Sequence, residues 1–115
     1  MSTTIYHNPR CSKSRQTLSL IQEKGIEPEI VLYLDAPPTQ KALKGILALL
    51  GISARTLLRK GEQDYKELGL ADSTLTESAL IKAMCTHPKL IERPIVVVGD
   101  KAVLGRPPEN VLELL

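Results

Sequence analysis

Hydrophobic and polar positions along the chain mark out strands and helices in a definite order. Thr3 to His7 is a short β-forming run that Asn8-Pro9 terminates. A helix is predicted from about Cys11 to Lys24, with Leu18 and Ile21 on one face and Leu20 widening it. Gly25 stands just past its end, where a residue free to adopt left-handed φ stops a helix. Glu29 to Tyr33 reads as a second strand. Strand, helix and strand within some thirty residues make a βαβ unit, so these two strands are expected to be parallel.

Ala36-Pro37-Pro38 breaks the chain, and Thr39 is placed to cap the next helix. Leu43, Ile46, Leu47 and Leu50 fall at i, i+3, i+4 and i+7, one face of a helix that Gly51 ends. Short helical turns are expected around Arg55–Leu58 and Asp64–Leu68. Another helix should start near Thr74–Thr76, where Thr74 and Glu77 have capping-box spacing. Leu80, Ile81 and Met84 form its apolar face, and His87-Pro88 closes it. Pro94 leads into the β-rich run Ile95 to Val98, Gly99-Asp100 signals a hairpin, and Ala102 to Leu104 returns antiparallel. Pro107-Pro108 then opens a last short helix through Leu114. The order is βαβ, a helical insertion over about 39–87, then ββα. Residues 1–115 are thus expected to form a single α/β domain of thioredoxin-like plan, with one mixed four-stranded sheet and the insertion between strands 2 and 3.

Composition narrows the function. The net charge is +2, from 15 basic and 13 acidic residues, and no basic stripe of the kind that backbone phosphates require is visible. With no Phe, no Trp and three Tyr, the chain lacks an aromatic platform for single-stranded nucleic acid. No apolar run approaches a membrane span, and the N-terminus lacks a signal-peptide pattern. Two Cys and two His, widely scattered, suggest neither a disulfide framework nor a zinc site. A cytoplasmic monomer that binds neither nucleic acid nor membrane, and holds no metal, is the expectation.

The chemistry centres on Cys11, in the segment His7-Asn8-Pro9-Arg10-Cys11-Ser12-Lys13-Ser14-Arg15. At the start of a helix several backbone N–H groups have no intrahelical partner, and their dipoles favour a thiolate. Arg10, Lys13 and Arg15 add positive charge. Such settings lower a thiol pKa from about 8.5 to roughly 3.5–7.5, and the same N–H groups can hold an oxyanion on the sulfur. Cys11 is either a nucleophile or a small helix-start residue, and the lone thiol at a strand–helix turn favours the first. His7 is either a strand residue with a satisfied ring or a partner of the thiolate. Ser14 stands where a C-x-x-C pair would carry its second sulfur, and Thr17 stands where a C-x5-R loop would carry arginine. Any redox cycle therefore calls for an external thiol. Cys85, beside the apolar face of its helix, reads as core packing.

Several separated blocks then carry a family resemblance. Ile5-Tyr6-His7-Asn8-Pro9 to Cys11 with Ser14-Arg15, and Leu57-Leu58-Arg59-Lys60, lie in register. Tyr65 to Glu67-Leu68-Gly69-Leu70-Ala71, His87-Pro88, Glu92-Arg93-Pro94-Ile95-Val96-Val97 and Arg106-Pro107 to Glu109 follow. Together they resemble the glutaredoxin- and glutathione-coupled arsenate reductases of the thioredoxin-like superfamily, along essentially the whole chain. Arg10, Ser12, Lys13 and the end at Leu115 look like the compact uncharacterised members. The resemblance implies that Cys11 attacks arsenate, that His7 helps to activate it, and that Arg59, Arg93 and Arg106 surround the oxyanion. It implies a supporting loop of Asn8, Ser14, Arg15 and Pro94, with the Arg93-Pro94 peptide cis. Glutathione is the implied co-substrate and glutaredoxin the implied partner, with no bound cofactor.

Two alternatives use the same thiol. A glutathione-dependent thiol transferase would need a glutathione groove near Pro94 but not all three arginines. A regulatory adaptor would bind a protein such as RNA polymerase, although the redox-sensing adaptors carry the second cysteine that Ser14 replaces. Loss of activity on Arg106→Ala with partner binding intact separates catalysis from the adaptor.

Overall fold

The computed structural model describes residues 2–115, and the chain divides into two compact units. One runs up to Ala36 and resumes over Arg93–Leu115; the other is Pro37–Glu92, within which the helical insertion falls.

The first unit holds all four strands, in the order β2-β1-β3-β4. β1 (Thr3–Tyr6) pairs in parallel with β2 (Glu29–Val31), as the crossover through helix α1 (Ser12–Glu23) requires. β1 also pairs antiparallel with β3 (Ile95–Val98), which turns at Gly99-Asp100 into antiparallel β4 (Lys101–Leu104). Ile5, Val96 and Val98 from the sheet, Ile21 from α1 and Val111 from the closing segment form the buried core, with Leu18, Leu20 and Val103 packed at its margin. The peptides Arg93-Pro94 and Arg106-Pro107 are both cis; the resemblance implied only the first.

Several expected boundaries move, each for a local reason. His7 lies beyond β1, although its N–H still donates to the Val31 carbonyl at 2.9 Å. β2 stops at Val31 because Leu32 begins a turn, its carbonyl accepting from the N–H groups of Asp35 and Ala36. The buried face of α1 is Ser14, Thr17 and Ile21, whereas Leu18 and Leu20 are only partly covered. An apolar pattern cannot show a helix face built from two small hydroxyl residues. The short helix opened by Pro107-Pro108 forms as expected, with 3-10 geometry over Pro108–Leu114.

The second unit is helical: α2 (Gln40–Leu50), α3 (Ala54–Leu57), α4 (Gln63–Glu67), α5 (Glu77–Thr86) and a 3-10 turn Pro88–Leu90. α2 begins at Thr39, whose hydroxyl accepts from Ala42 N–H, and ends at Gly51 with φ +69°, as its sequence predicts. Leu43, Ile46, Leu47, Leu57, Leu80, Ile81, Met84 and Leu90 are among the buried side chains of this unit. The Thr74–Glu77 capping box does not form. Thr74 is held by the Asp72 carboxylate through both its N–H and its hydroxyl, at 2.9 and 2.7 Å. Thr76 caps α5, and the Glu77 carboxylate accepts from Ala54 N–H at 2.8 Å, serving the start of α3 instead.

Candidate active site

Cys11 is the N-cap residue of α1, with extended backbone (φ −94°, ψ 122°) and no side-chain hydrogen bond to the helix end. Its N–H donates to the Asn8 carbonyl at 3.0 Å, and its own carbonyl accepts from Arg15 N–H at 3.0 Å. The sulfur therefore stands at the positive end of a twelve-residue helix without being used as a cap.

Ser14 is the hub of the loop before it. Its side chain is fully buried. Its hydroxyl oxygen accepts from Asn8 N–H at 3.1 Å and lies 2.6 Å from His7 Nδ1. The Asn8 side chain accepts from Arg10 N–H at 3.0 Å, and Arg15 Nη1 donates to the Pro9 carbonyl at 2.9 Å. Asn8, Ser14 and Arg15 thus fold residues 7–10 into one shape. Burial, with the Arg15 guanidinium nearby, pushes His7 below its ordinary value of 6.5, so the ring is neutral near pH 7. Its bonded partner is Ser14, not Cys11.

From the far end of the unit, Arg106 reaches the thiol. Its Nη1 lies 3.9 Å from Cys11 Sγ and donates to the Arg93 carbonyl at 3.2 Å. Arg93 and Pro94 precede β3, and Arg106 follows β4, so the two loops converge beside the thiol-bearing turn. Arg59 belongs to the second unit. There it follows α3, with its guanidinium 2.8 Å from the Glu62 carboxylate and 3.5 Å from that of Glu92.

Two residues to which sequence reasoning gave no part in the site support this arrangement. Thr17 is fully buried, and its hydroxyl donates to the Lys13 carbonyl at 2.8 Å with the Gly105 carbonyl at 3.4 Å. Gly105 has no room for a side chain: a Cβ there would lie 2.5 Å from Thr17 Oγ1 and 2.7 Å from Pro94 Cγ. A polar residue three positions after Ser14 on one helix face, and a glycine directly before Arg106, were the available signals. Cys85 is half-buried, and burial pushes its thiol up. Among the described residues, no group of three or more His, Cys, Asp or Glu side chains could hold a metal ion.

A mixed four-stranded sheet and one thiol at the head of its first helix define a thioredoxin-like protein. The chain belongs to the ArsC family, which residues 6–114 match. It is 61% identical to the uncharacterized protein YfgD of Escherichia coli strain K12, over 96% of this chain and 94% of that one. It is 52% identical to an arsenate reductase of Neisseria meningitidis serogroup A, over 96% of each. The structure of an arsenate reductase from Vibrio cholerae superposes with a TM-score of 0.97 at 52% identity, covering 100% of this chain and 98% of that one.

Proposed function

We propose that this protein is an arsenate reductase with Cys11 as its nucleophile. The observation that carries the reading is the approach of Arg106 to the Cys11 sulfur, at 3.9 Å across 95 residues of sequence. A guanidinium at that distance can share an oxyanion with the thiol, and its planar fork suits a tetrahedral anion better than an ammonium does. Relatives half identical to this chain over its length bear the name arsenate reductase.

In the proposed cycle, the Cys11 thiolate displaces an oxygen from arsenate, which leaves as water after protonation, and a sulfur–arsenic bond forms. Glutathione thiolate then attacks the Cys11 sulfur. The sulfur–arsenic bond breaks, its electron pair reduces As(V) to As(III), and arsenite departs. Glutaredoxin attacks the glutathione sulfur of the resulting mixed disulfide and frees Cys11. Arg106 stabilises the oxyanion as charge builds on it, and Arg93, whose carbonyl accepts from Arg106, joins it on the family resemblance. Arg59 enters the proposal as a third cation on the family resemblance alone. His7, whose ring pairs with the Ser14 hydroxyl, acts through Ser14 on the shape of the loop. The cycle needs a reducing compartment, in keeping with a cytoplasmic monomer.

Replacing Arg106 tests the role of the guanidinium. Arg106→Ala should lower the rate of arsenite formation by about 10²–10³-fold, the scale of losing one preorganised charge donor, with Arg106→Lys in between. An Arg106→Ala enzyme as fast as wild type would rule that role out.

A further inference from the structure

We propose that a cavity of about 300 Å³ at the carboxyl ends of β1 and β2 seats the thiol co-substrate, a small zwitterionic peptide thiol of the glutathione class held between Arg10 and Asp35. The inference rests on the reading of Cys11 as a nucleophile that an external thiol later releases.

The walls of the cavity come from two loops that leave neighbouring parallel strands at the same end. His7, Asn8 and Arg10 follow β1; Leu32, Leu34 and Asp35 follow β2. Loops at the carboxyl end of β1, where α1 also begins, are the ones that carry the reactive segment. Cys11 comes directly after Arg10, and its N–H closes the turn back to Asn8. Cys11 is not itself part of the lining, and the residue that must be attacked joins the cavity wall through the chain.

Topology gives the cavity a side of its own. In the order β2-β1-β3-β4, the β2 loop lies on one flank of β1, and the loops carrying Arg93 and Arg106 lie on the other. Displacement at a sulfur needs attacker and leaving group on opposite sides of that sulfur. With the arsenic held on the flank of Arg106, the attacking thiol enters from the flank of β2.

The lining chemistry fits a zwitterion. Arg10 and Asp35 are both exposed, of opposite sign, and among the described residues neither takes part in an ion pair. Leu32, 41% exposed, adds an apolar surface to the same cavity. Arg10 can receive a carboxylate and Asp35 an ammonium, and glutathione carries both groups beyond its thiol.

The test uses a Cys85→Ser background, so that Cys11 is the only thiol, loaded as a mixed disulfide with thionitrobenzoate. Attack of a thiolate on the Cys11 sulfur breaks the disulfide, thionitrobenzoate leaves with the electron pair as a coloured thiolate, and the new disulfide is read by mass. The quantity compared is the rate with glutathione divided by the rate with uncharged 2-mercaptoethanol. Asp35→Asn should lower that ratio about two- to five-fold, the scale of one exposed ion pair, and Arg10→Gln should lower it similarly. Asp35→Asn is decisive: glutathione thiolate carries one more net negative charge than 2-mercaptoethanol thiolate, so a general field effect would raise the ratio when an acidic charge is removed. A ratio unchanged or raised in Asp35→Asn would overturn the assignment. Arsenate plays no part in this assay, so inactivity toward arsenate would defeat the proposed function and leave the co-substrate seat to be judged by the ratio.

Discussion

Ser14 shows how one buried hydroxyl can organise a reactive loop. It ties the Asn8 N–H and the His7 ring to the helix that carries Cys11. Ser14→Ala leaves both groups without that partner, the His7 ring in a buried position and the Asn8 N–H in a half-buried one. The predicted loss is about 1–3 kcal/mol in urea unfolding, the cost of stranding buried polar groups. His7 gives a pH signature of definite sign. Its native pKa lies below 6.5 because burial, and then Arg15, disfavour the imidazolium. As pH falls through about 6.5, the unfolded chain takes up this proton before the native one does, so stability falls with it; the contribution is fully present above that pH. Unfolding midpoints measured from about pH 8 to about pH 5 should therefore drop less in His7→Asn than in wild type. Equal slopes would contradict the assignment. At this scale the sequence identified Cys11 through its position and its cations, but left the partner of His7 open. A bond between ring and hydroxyl seven residues apart depends on how the loop closes.

Among the elements, the close meeting of α1 with the strand that ends at Leu104 is the feature on which the placement of Arg106 depends. Thr17 and Gly105 touch where no side chain fits between them. Gly105→Ala should cost about 1–3 kcal/mol of stability through overpacking. It should also lower activity, because the residue displaced next is Arg106; thermal unfolding and the arsenite rate measured together would show both. A variant of wild-type stability and rate would mean that the loop absorbs the methyl group. Helix α2 was fully legible, with Thr39, the apolar face and Gly51 all in their expected roles. α5 was legible in its apolar face but not in its cap, because Glu77 serves a different helix 23 residues away. The inner face of α1 was misread for a related reason: Ser14 and Thr17 are polar in composition yet lie in the interior through their hydrogen bonds.

For the whole molecule, the βαβ and ββ segments were readable from local pattern, whereas the pairing of β1 with β3 across the helical insertion was not. The arginines were not. Nothing local distinguishes Arg106 among 15 basic residues, since its partner sulfur lies 95 positions away; motif resemblance singled it out, and the fold brings it beside Cys11. The central claim is that this sulfur reduces arsenate at the expense of glutathione. The direct measurement is arsenate-dependent NADPH oxidation in the presence of glutathione, glutaredoxin and glutathione reductase, for wild type and Cys11→Ser. The account predicts turnover in wild type that vanishes in Cys11→Ser. Wild-type oxidation no faster than that of Cys11→Ser would contradict it, and would turn attention to thiol transfer or partner binding by the same cysteine.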